Sequence, residues 1–302
     1  MSVVAFIGLG NMGRPMVEHL IGAGFALRVF ARKPQAMQPL AERGATACGS
    51  AADAARGAEF ICSNVTSTPD VEQVLFSPGG VVESAARGAV VLDFSTISAL
   101  ATRSFAQRLA ERGVHMLDCP VSGGTKGAQA ATLSIMVGGD ESVLASARPL
   151  LEKLGKTITH IGGHGAGQVA KACNQIVQVV NIQGIAEAML FAHANGVEPQ
   201  RMLEAISAGL AGSKMLDLMG PKMARRDFAA GMEARLHYKD YGLIVDVAGE
   251  TGVMLPAAML VANQLNALVA SGWGTSDTAA LLKVLEAQQP TPTAVRPTPD
   301  AL

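Results

Sequence analysis

The chain has 302 residues, 49% of them apolar and 16% charged, which is ample material for one large or two ordinary cores. Its 24 basic and 25 acidic residues leave a formal net charge of -1, so no basic field exists to hold a nucleic-acid backbone and no nucleic-acid partner is expected. The longest apolar runs, such as VVAFI and IVQVV, fall short of the roughly 20 residues that cross a bilayer, and no basic segment precedes the first; no membrane partner is expected, and the expected location is cytoplasmic.

From residue 1 to about 164, short β-branched runs alternate with Ala-rich helical stretches, the pattern of a doubly wound parallel sheet. Strands are predicted at 3–7, 27–30, 59–63 and 90–94, with 115–118, 132–137 and 157–161 extending the sheet. Helices are predicted at 13–23, 98–112 and 141–154. After Gly167 the strand signal stops. Helices are predicted at 168–195, 199–208, 236–251, 256–271 and 277–287, punctuated by the glycine- and proline-bearing stretches AGLAGS, MGPK and SGWGTSD. The expected organisation is a doubly wound α/β domain over 1–164, an all-helical domain over 165–289, and a disordered proline-rich tail over 290–302. Cys48, Cys62, Cys119 and Cys173 have no CxxC or Cys/His spacing and read as reduced core thiols; the six histidines form no HExxH pair, so no metal site is expected.

FIGLGNMG, residues 6–13, is a GxGxxG whose first glycine closes a strand and whose last opens a helix. In that context Gly8 permits the tight turn, Gly10 lets backbone approach a pyrophosphate, and Gly13 lets helix pack close to sheet, while the helix N-terminus offers N–H groups to the phosphates. At the end of the second strand, where an acid would bind the 2'-hydroxyl of NAD, the sequence has Ala31 followed by Arg32 and Lys33. A missing carboxylate beside a guanidinium favours the 2'-phosphate of NADP over NAD. The alternative is that both cations are solvated loop residues.

DCPVSGGTKGA, residues 118–128, is too rich in glycine and small side chains for a core element. Its N–H groups from Ser122 to Thr125, with the Ser122 hydroxyl, suit a carboxylate; a surface turn fits equally well. In GAGQVAKACNQIVQVVNIQG, residues 165–184, the polar residues Lys171, Asn174, Gln175, Gln178 and Asn181 stand three or four apart and share one side of a helix. One charge among four amides suggests a largely buried helix whose polar stripe lines a cavity. Unpartnered buried amides cost ~1–3 kcal/mol each, which a polar substrate would offset, and a lysine there is a candidate proton donor and acceptor if burial shifts it from its usual ~10.4. Alternatively Lys171 reaches solvent and the amides bond to other helices. The pair Lys239–Asp240 reads as an ordinary exposed charged pair.

Together these segments resemble the β-hydroxyacid dehydrogenases over Val3 to about Glu286: FIGLGNMGRPM resembles that family's dinucleotide signature, DCPVSGG its substrate-carboxylate loop, GAGQVAKACNQ its catalytic helix and LHYKD its cofactor-closing motif. The resemblance implies an NAD(P)-dependent oxidoreductase with a dinucleotide-binding Rossmann domain over 1–164 and an all-helical substrate and oligomerisation domain over 165–289, with Lys171 catalytic and Ser122, Gly123, Gly124, Asn174 and Gln175 holding a small carboxylate substrate. It assigns the cofactor to Gly8, Leu9, Gly10, Asn11, Met12, Gly13, Arg32, Lys33, Val65, Thr66, Thr96 and Lys239, and it implies a homodimer or homotetramer. NQIVQVVNI, AGLAGSKMLD and GWGTSDTAAL look most like the subgroup that reduces tartronate semialdehyde; dehydrogenation of 3-hydroxyisobutyrate, or reduction of succinic semialdehyde or glyoxylate, is the enzymatic alternative. The sequence departs from the family pattern at Thr66, where proline is usual, at Lys126, and at Ala31. A non-catalytic dinucleotide-binding module on the same fold would be expected to lack the lysine.

Overall fold

The computed structural model describes residues 2–289; the expected tail at 290–302 lies outside them. The chain divides into two compact units, with the division after Asn174.

The first unit is a Rossmann-type layer structure. Its strands are β1 (Val3–Ile7), β2 (Ala26–Phe30), β3 (Thr46–Ala47), β4 (Phe60–Ser63), β5 (Val90–Asp93), β6 (His115–Asp118), β7 (Val121–Ser122), β8 (Leu133–Gly138) and β9 (Gly155–Gly162). Its complete helices are α1 (Gly13–Gly22), α2 (Gln38–Ala41), α3 (Ala51–Ala55), α4 (Thr68–Phe76), α5 (Ala99–Ala110), α6 (Gly124–Gln129) and α7 (Glu141–Leu151). The strand order is β3-β2-β1-β4-β5-β6-β8-β7, with β9 on β8. Period-two alternation feeds two cores. Val4, Phe6, Cys62, Leu92 and Leu117 pack with α1 and α7 residues on one face, and Ala5, Ile7, Ile61, Val91 and Met116 pack with α3, α4 and α5 residues on the other.

The sheet departs from the expected all-parallel form. β8 runs antiparallel to β6 and β7, and β9 then runs parallel to β8. The connection from Ser122 to Leu133 holds only the six-residue α6, too little for the crossover of a dozen or more residues that a parallel return needs. The pairs Asp118↔Gly138, Val121↔Ile135 and Ser122↔Ser134 fall in one register, and the Met136 N–H donates to Pro120 O at 3.0 Å. β6 and β7 are thus one strand broken where Pro120 lacks a ladder donor.

α8 (Ala166–Ala194) runs through the division, and the second unit adds α9 (Pro199–Ser207), α10 (Lys214–Ala224), α11 (Ala234–Thr251), α12 (Pro256–Leu268) and α13 (Leu281–Gln288). MGPK lies inside α10 instead of ending a helix. The Ser213 hydroxyl caps α10 by accepting the Leu216 N–H, and Pro221 falls in the last turns, where it removes a single intrahelical bond. A Cβ on Gly220 would stand 2.7 Å from the Leu203 side chain, so the glycine lets α9 and α10 pack closely.

The expectation of a largely buried α8 is corrected: Val177 is 68% and Phe191 73% exposed, and Val169 and Cys173 are exposed too. Cys48, Cys62 and Cys119 are buried, and Cys173 is the exception to the expected core thiols. α8 is also long and apolar enough to cross a bilayer by length and composition, contrary to the reading of the apolar runs. Its polar side chains Gln168, Gln175 and Gln178 bond within the folded units, as a helix of a globular domain requires.

Candidate active site

The glycine turn is fixed by close approach. Gly8 has φ +97°, and a Cβ there would meet Asn64 O at 2.2 Å; one on Gly13 would meet Gly8 O at 2.0 Å. A Cβ on Gly10 would meet nothing within 4 Å. The outer glycines are therefore demanded by the protein, while open space over Gly10 admits a ligand against the backbone. Leu9 is buried, Asn11 is exposed, and Met12 occupies the N-cap of α1 without a side-chain cap bond. Beyond β2, Arg32 and Lys33 are both exposed, and Arg32 Nη1 lies 3.1 Å from Asp70 Oδ1 in α4.

The loops after β4 and β5 are tied together. The Val65 N–H donates to Ser95 Oγ at 2.9 Å, and Asn64 Nδ2 donates to Phe94 O at 3.4 Å. Val65 and Thr96 are half-buried and Thr66 is exposed. Beneath them, Asp93 is fully buried; Ser63 Oγ donates to its Oδ1 at 2.8 Å, and the Ser95 N–H donates to the same oxygen at 3.2 Å. Burial pushes the Asp93 carboxyl up to about 6 against these two donors.

The register aligns Ile7, Ser63, Asp93, Asp118 and Gly138 in one row across the sheet. Gly8–Gly13, Val65–Thr66, Thr96 and Ser122–Gly124 all follow the C-terminal ends of these strands, the edge where doubly wound sheets bind ligands. The expected substrate loop is more ordered than its composition suggests. Ser122 belongs to β7, half-buried, and only Gly123 (φ +133°) and Gly124 (φ +60°) make the turn into α6. Lys126 is exposed on α6.

Asp118 anchors the start of α8. Its Oδ1 accepts the Gly165 N–H at 2.8 Å and its Oδ2 accepts the Gln168 N–H at 3.0 Å. Burial raises the Asp118 carboxyl, and these two backbone donors oppose the rise. A Cβ on Gly138 would stand 2.5 Å from Asp118 Oδ1, and one on Gly167 2.7 Å from Oδ2, so the carboxylate fits only because both neighbours are glycine. Gln168, 3% exposed, accepts the Ile97 N–H through Oε1 at 3.1 Å and donates from Nε2 to Ser95 O at 2.9 Å. Lys171 follows one turn later and is 6% exposed, and Asn174 after it is half-buried.

In the second unit, Gln175 Nε2 donates to Asp240 Oδ2 at 2.6 Å, and Lys239 Nζ lies 2.8 Å from Asp240 Oδ1. Asp240 is buried, which corrects the reading of Lys239–Asp240 as an ordinary exposed pair. The Tyr241 hydroxyl donates to the carbonyls of Gln175 and Ile176 at 3.4 and 3.3 Å, and burial raises its phenol. Gln178 meets His237 Nε2 at 3.3 Å, His237 Nδ1 meets Thr278 Oγ1 at 2.7 Å, and Ser213 Oγ donates to Asn181 Oδ1 at 3.2 Å. The end of the polar stripe therefore bonds other helices.

Asp118, Gln168 and Ser95 were not singled out from sequence, and Asp240 only as half of an exposed pair. A signal existed for the first: strands buried on both faces read as continuous apolar runs, yet VVLD and HMLD each end in aspartate.

Residues 3–162 match the family model described as the NAD binding domain of 6-phosphogluconate dehydrogenase, and residues 165–285 match that of the NAD-binding of NADP-dependent 3-hydroxyisobutyrate dehydrogenase. The chain is 40% identical to 2-hydroxy-3-oxopropionate reductase of Escherichia coli, over 94% of this chain and 97% of that one. The chain belongs to the 3-hydroxyisobutyrate dehydrogenase family. It is an NAD(P)-dependent 3-hydroxyacid dehydrogenase with a Rossmann-type first domain. The dehydrogenase is also 38% identical to an NAD-dependent L-serine dehydrogenase of Pseudomonas aeruginosa, over 96% of this chain and 99% of that one. Among solved structures it is similar to Mycobacterium tuberculosis 3-hydroxyisobutyrate dehydrogenase with L-serine, at TM-score 0.88 and 35% identity, over 94% of this chain and 99% of that one.

Proposed function

We propose that this dehydrogenase reduces tartronate semialdehyde to glycerate, reversibly, with NADP preferred over NAD and with Lys171 as the proton donor and acceptor. The observation that carries the reading is the placement of Lys171: buried, and one turn beyond a glutamine bonded on both sides of Thr96. Similar proteins are named for 2-hydroxy-3-oxopropionate, L-serine and 3-hydroxyisobutyrate; the alcohol formed by reducing the first shares a 3-hydroxypropanoate skeleton with the other two and differs from them at C2.

The open space over Gly10 fits a dinucleotide pyrophosphate, held by Gly8, Leu9, Gly10, Asn11, Met12 and Gly13. Arg32 and Lys33 would take the 2'-phosphate, and Val65, Thr66, Thr96 and Lys239 the nicotinamide end. The bound dinucleotide supplies hydride-transfer chemistry. Ser122, Gly123 and Gly124 hold the substrate carboxylate, while Asn174 and Gln175 orient its reacting end. In reduction the Lys171 ammonium polarises the aldehyde oxygen and gives it a proton; in oxidation the neutral amine takes the proton back. Exposed Val177, Phe191 and Leu210 support assembly as a homodimer or homotetramer.

The test follows the absorbance of reduced nicotinamide with tartronate, methylmalonate and succinic semialdehydes and glyoxylate in parallel. Tartronate semialdehyde should give the highest kcat/KM, and Lys171→Ala should lower kcat by about 10²–10⁴-fold while NADPH still binds. Substantial turnover by Lys171→Ala would overturn the lysine's role, and a higher kcat/KM with another acid would overturn the substrate.

A further inference from the structure

We infer that Gln168 is a positioning residue that sets the proton-transfer group and the nicotinamide-side loop at a fixed spacing. The inference rests on the reading of Lys171 and Thr96 given above.

Gln168 ties the start of α8 to the segment after β5. Its carboxamide uses both ends: Oε1 accepts the Ile97 N–H and Nε2 donates to Ser95 O, so the two bonds bracket Thr96. Its own N–H is held by Asp118 Oδ2, which fixes the helix turn from which the side chain departs. Ser95 in turn receives the Val65 N–H on Oγ and gives its own N–H to Asp93. A planar amide bound at both ends and buried has little freedom, and Lys171 stands three residues later on the same helix. A shift of α8 relative to Thr96 would break both amide bonds, so this side chain holds the Lys171 backbone at a set distance from Thr96. Misplacing reacting groups by ~1 Å can cost about 10²-fold in rate, so such a brace acts on turnover more than on binding.

The test compares Gln168→Met, which keeps the length and removes both bonds, with Gln168→Glu. A protonated Glu keeps an acceptor and a donor, whereas an ionised one loses the donor to Ser95 O. The ionisable groups around that position include Asp93 on β5, Arg103 on α5, Asp118 on β6, His164 before α8 and Lys171 on α8 itself.

Gln168→Met should lower kcat by about 10- to 100-fold with the NADPH Kd within about threefold of the parent. It should also raise the isotope effect from cofactor deuterated at the transferred C4 position. Gln168→Glu should recover toward the parent as pH falls, taken as a ratio at each pH, and Gln168→Met should not. Independently of turnover, the Cε resonance of isotope-labelled Lys171, assigned with Lys171→Arg, should move on addition of NADP to the parent and by less than half as much in Gln168→Met.

Parent-like kcat in Gln168→Met overturns the inference, and so does a kcat loss matched by lost cofactor affinity with an unchanged Lys171 response. Should the parent turn over none of the acids, or Lys171→Ala stay active, the functional reading fails separately. The resonance then decides, and an undiminished Lys171 response in Gln168→Met overturns the positioning role. If Gln168→Met does not fold, the pH ratio of Gln168→Glu decides, and a flat ratio overturns it.

Discussion

Two buried carboxylates meet the same long helix and hold it by different chemistry. Asp118, in the first unit, takes two backbone N–H groups, from Gly165 and Gln168, at the start of α8. Asp240, in the second, takes a side-chain amide from Gln175 and the ammonium of Lys239. The first depends on close backbone approach: Gly138 and Gly167 must stay small, and the donor Gly165 has φ +83° with Ala99 O 2.8 Å from where a Cβ would stand. The second depends on two particular side chains and leaves the backbone free. A backbone-bound carboxylate is therefore structural first, and a side-chain-bound one can be tuned with modest cost to the fold.

The sharpest way to break that contrast is Asp118→Ala. It leaves two helix-start N–H groups without their charged acceptor, and should destabilise the protein by about 2–5 kcal/mol in urea denaturation, with activity falling in parallel. Asp240→Asn should instead cost under about 1 kcal/mol of stability, because Lys239 is partly solvated, yet weaken NADPH binding about tenfold by cofactor titration. A stability loss for Asp240→Asn equal to that of Asp118→Ala would erase the distinction.

Asp93 supplies a third case, a buried carboxylate with two donors on Oδ1 and, among the described residues, no hydrogen-bond partner on Oδ2. Its folded value of about 6 lies above the ordinary 3.8, so its favourable contribution is complete below about pH 4 and is lost as pH rises to about 6. Asp93→Asn should therefore match the parent near pH 4 and exceed it above pH 6, by about 3 kcal/mol in thermal or urea unfolding. A constant difference across that window would show that the carboxyl does not titrate there. The smallest effect is expected at Asp70, a half-buried carboxylate paired with an exposed Arg32. Asp70→Asn releases Arg32 and should raise the NADPH-to-NADH preference in kcat/KM by only about two- to threefold, less at high salt.

The contrast also explains what sequence could reveal. β1 was predicted at its observed bounds, since VVAFI is apolar on both faces and ends at a glycine that its φ demands. β7 has two residues, too few for any period, and appears only through its pairing with β8. The Gly-Pro in α10 looked like a stop because local propensity cannot see the Leu203 packing that makes Gly220 useful. Helical spacing put Lys171 and the amides on one side of α8, but spacing carries no sign for which side is inside, so Val177 and Phe191 were expected to be covered. Gln178 and Asn181 read as structural amides and do bond His237 and Ser213. The Asp118 clamp and the Gln168 brace join residues about 50 and 70 positions apart, beyond the reach of any local pattern.

The broken strand β6–β7 has a consequence for how this site can change. Because one register continues through Pro120, Ser122 faces its side of the strand only by virtue of the count of residues from Asp118. Deleting or inserting a single residue among positions 119–121 would turn Ser122 to the opposite face while leaving Asp118 in place. Cys119, Pro120 and Val121 are buried, so this segment is held in composition as well as in length, and the place of Ser122 in the proposed site is as fixed as a mark on a ruler.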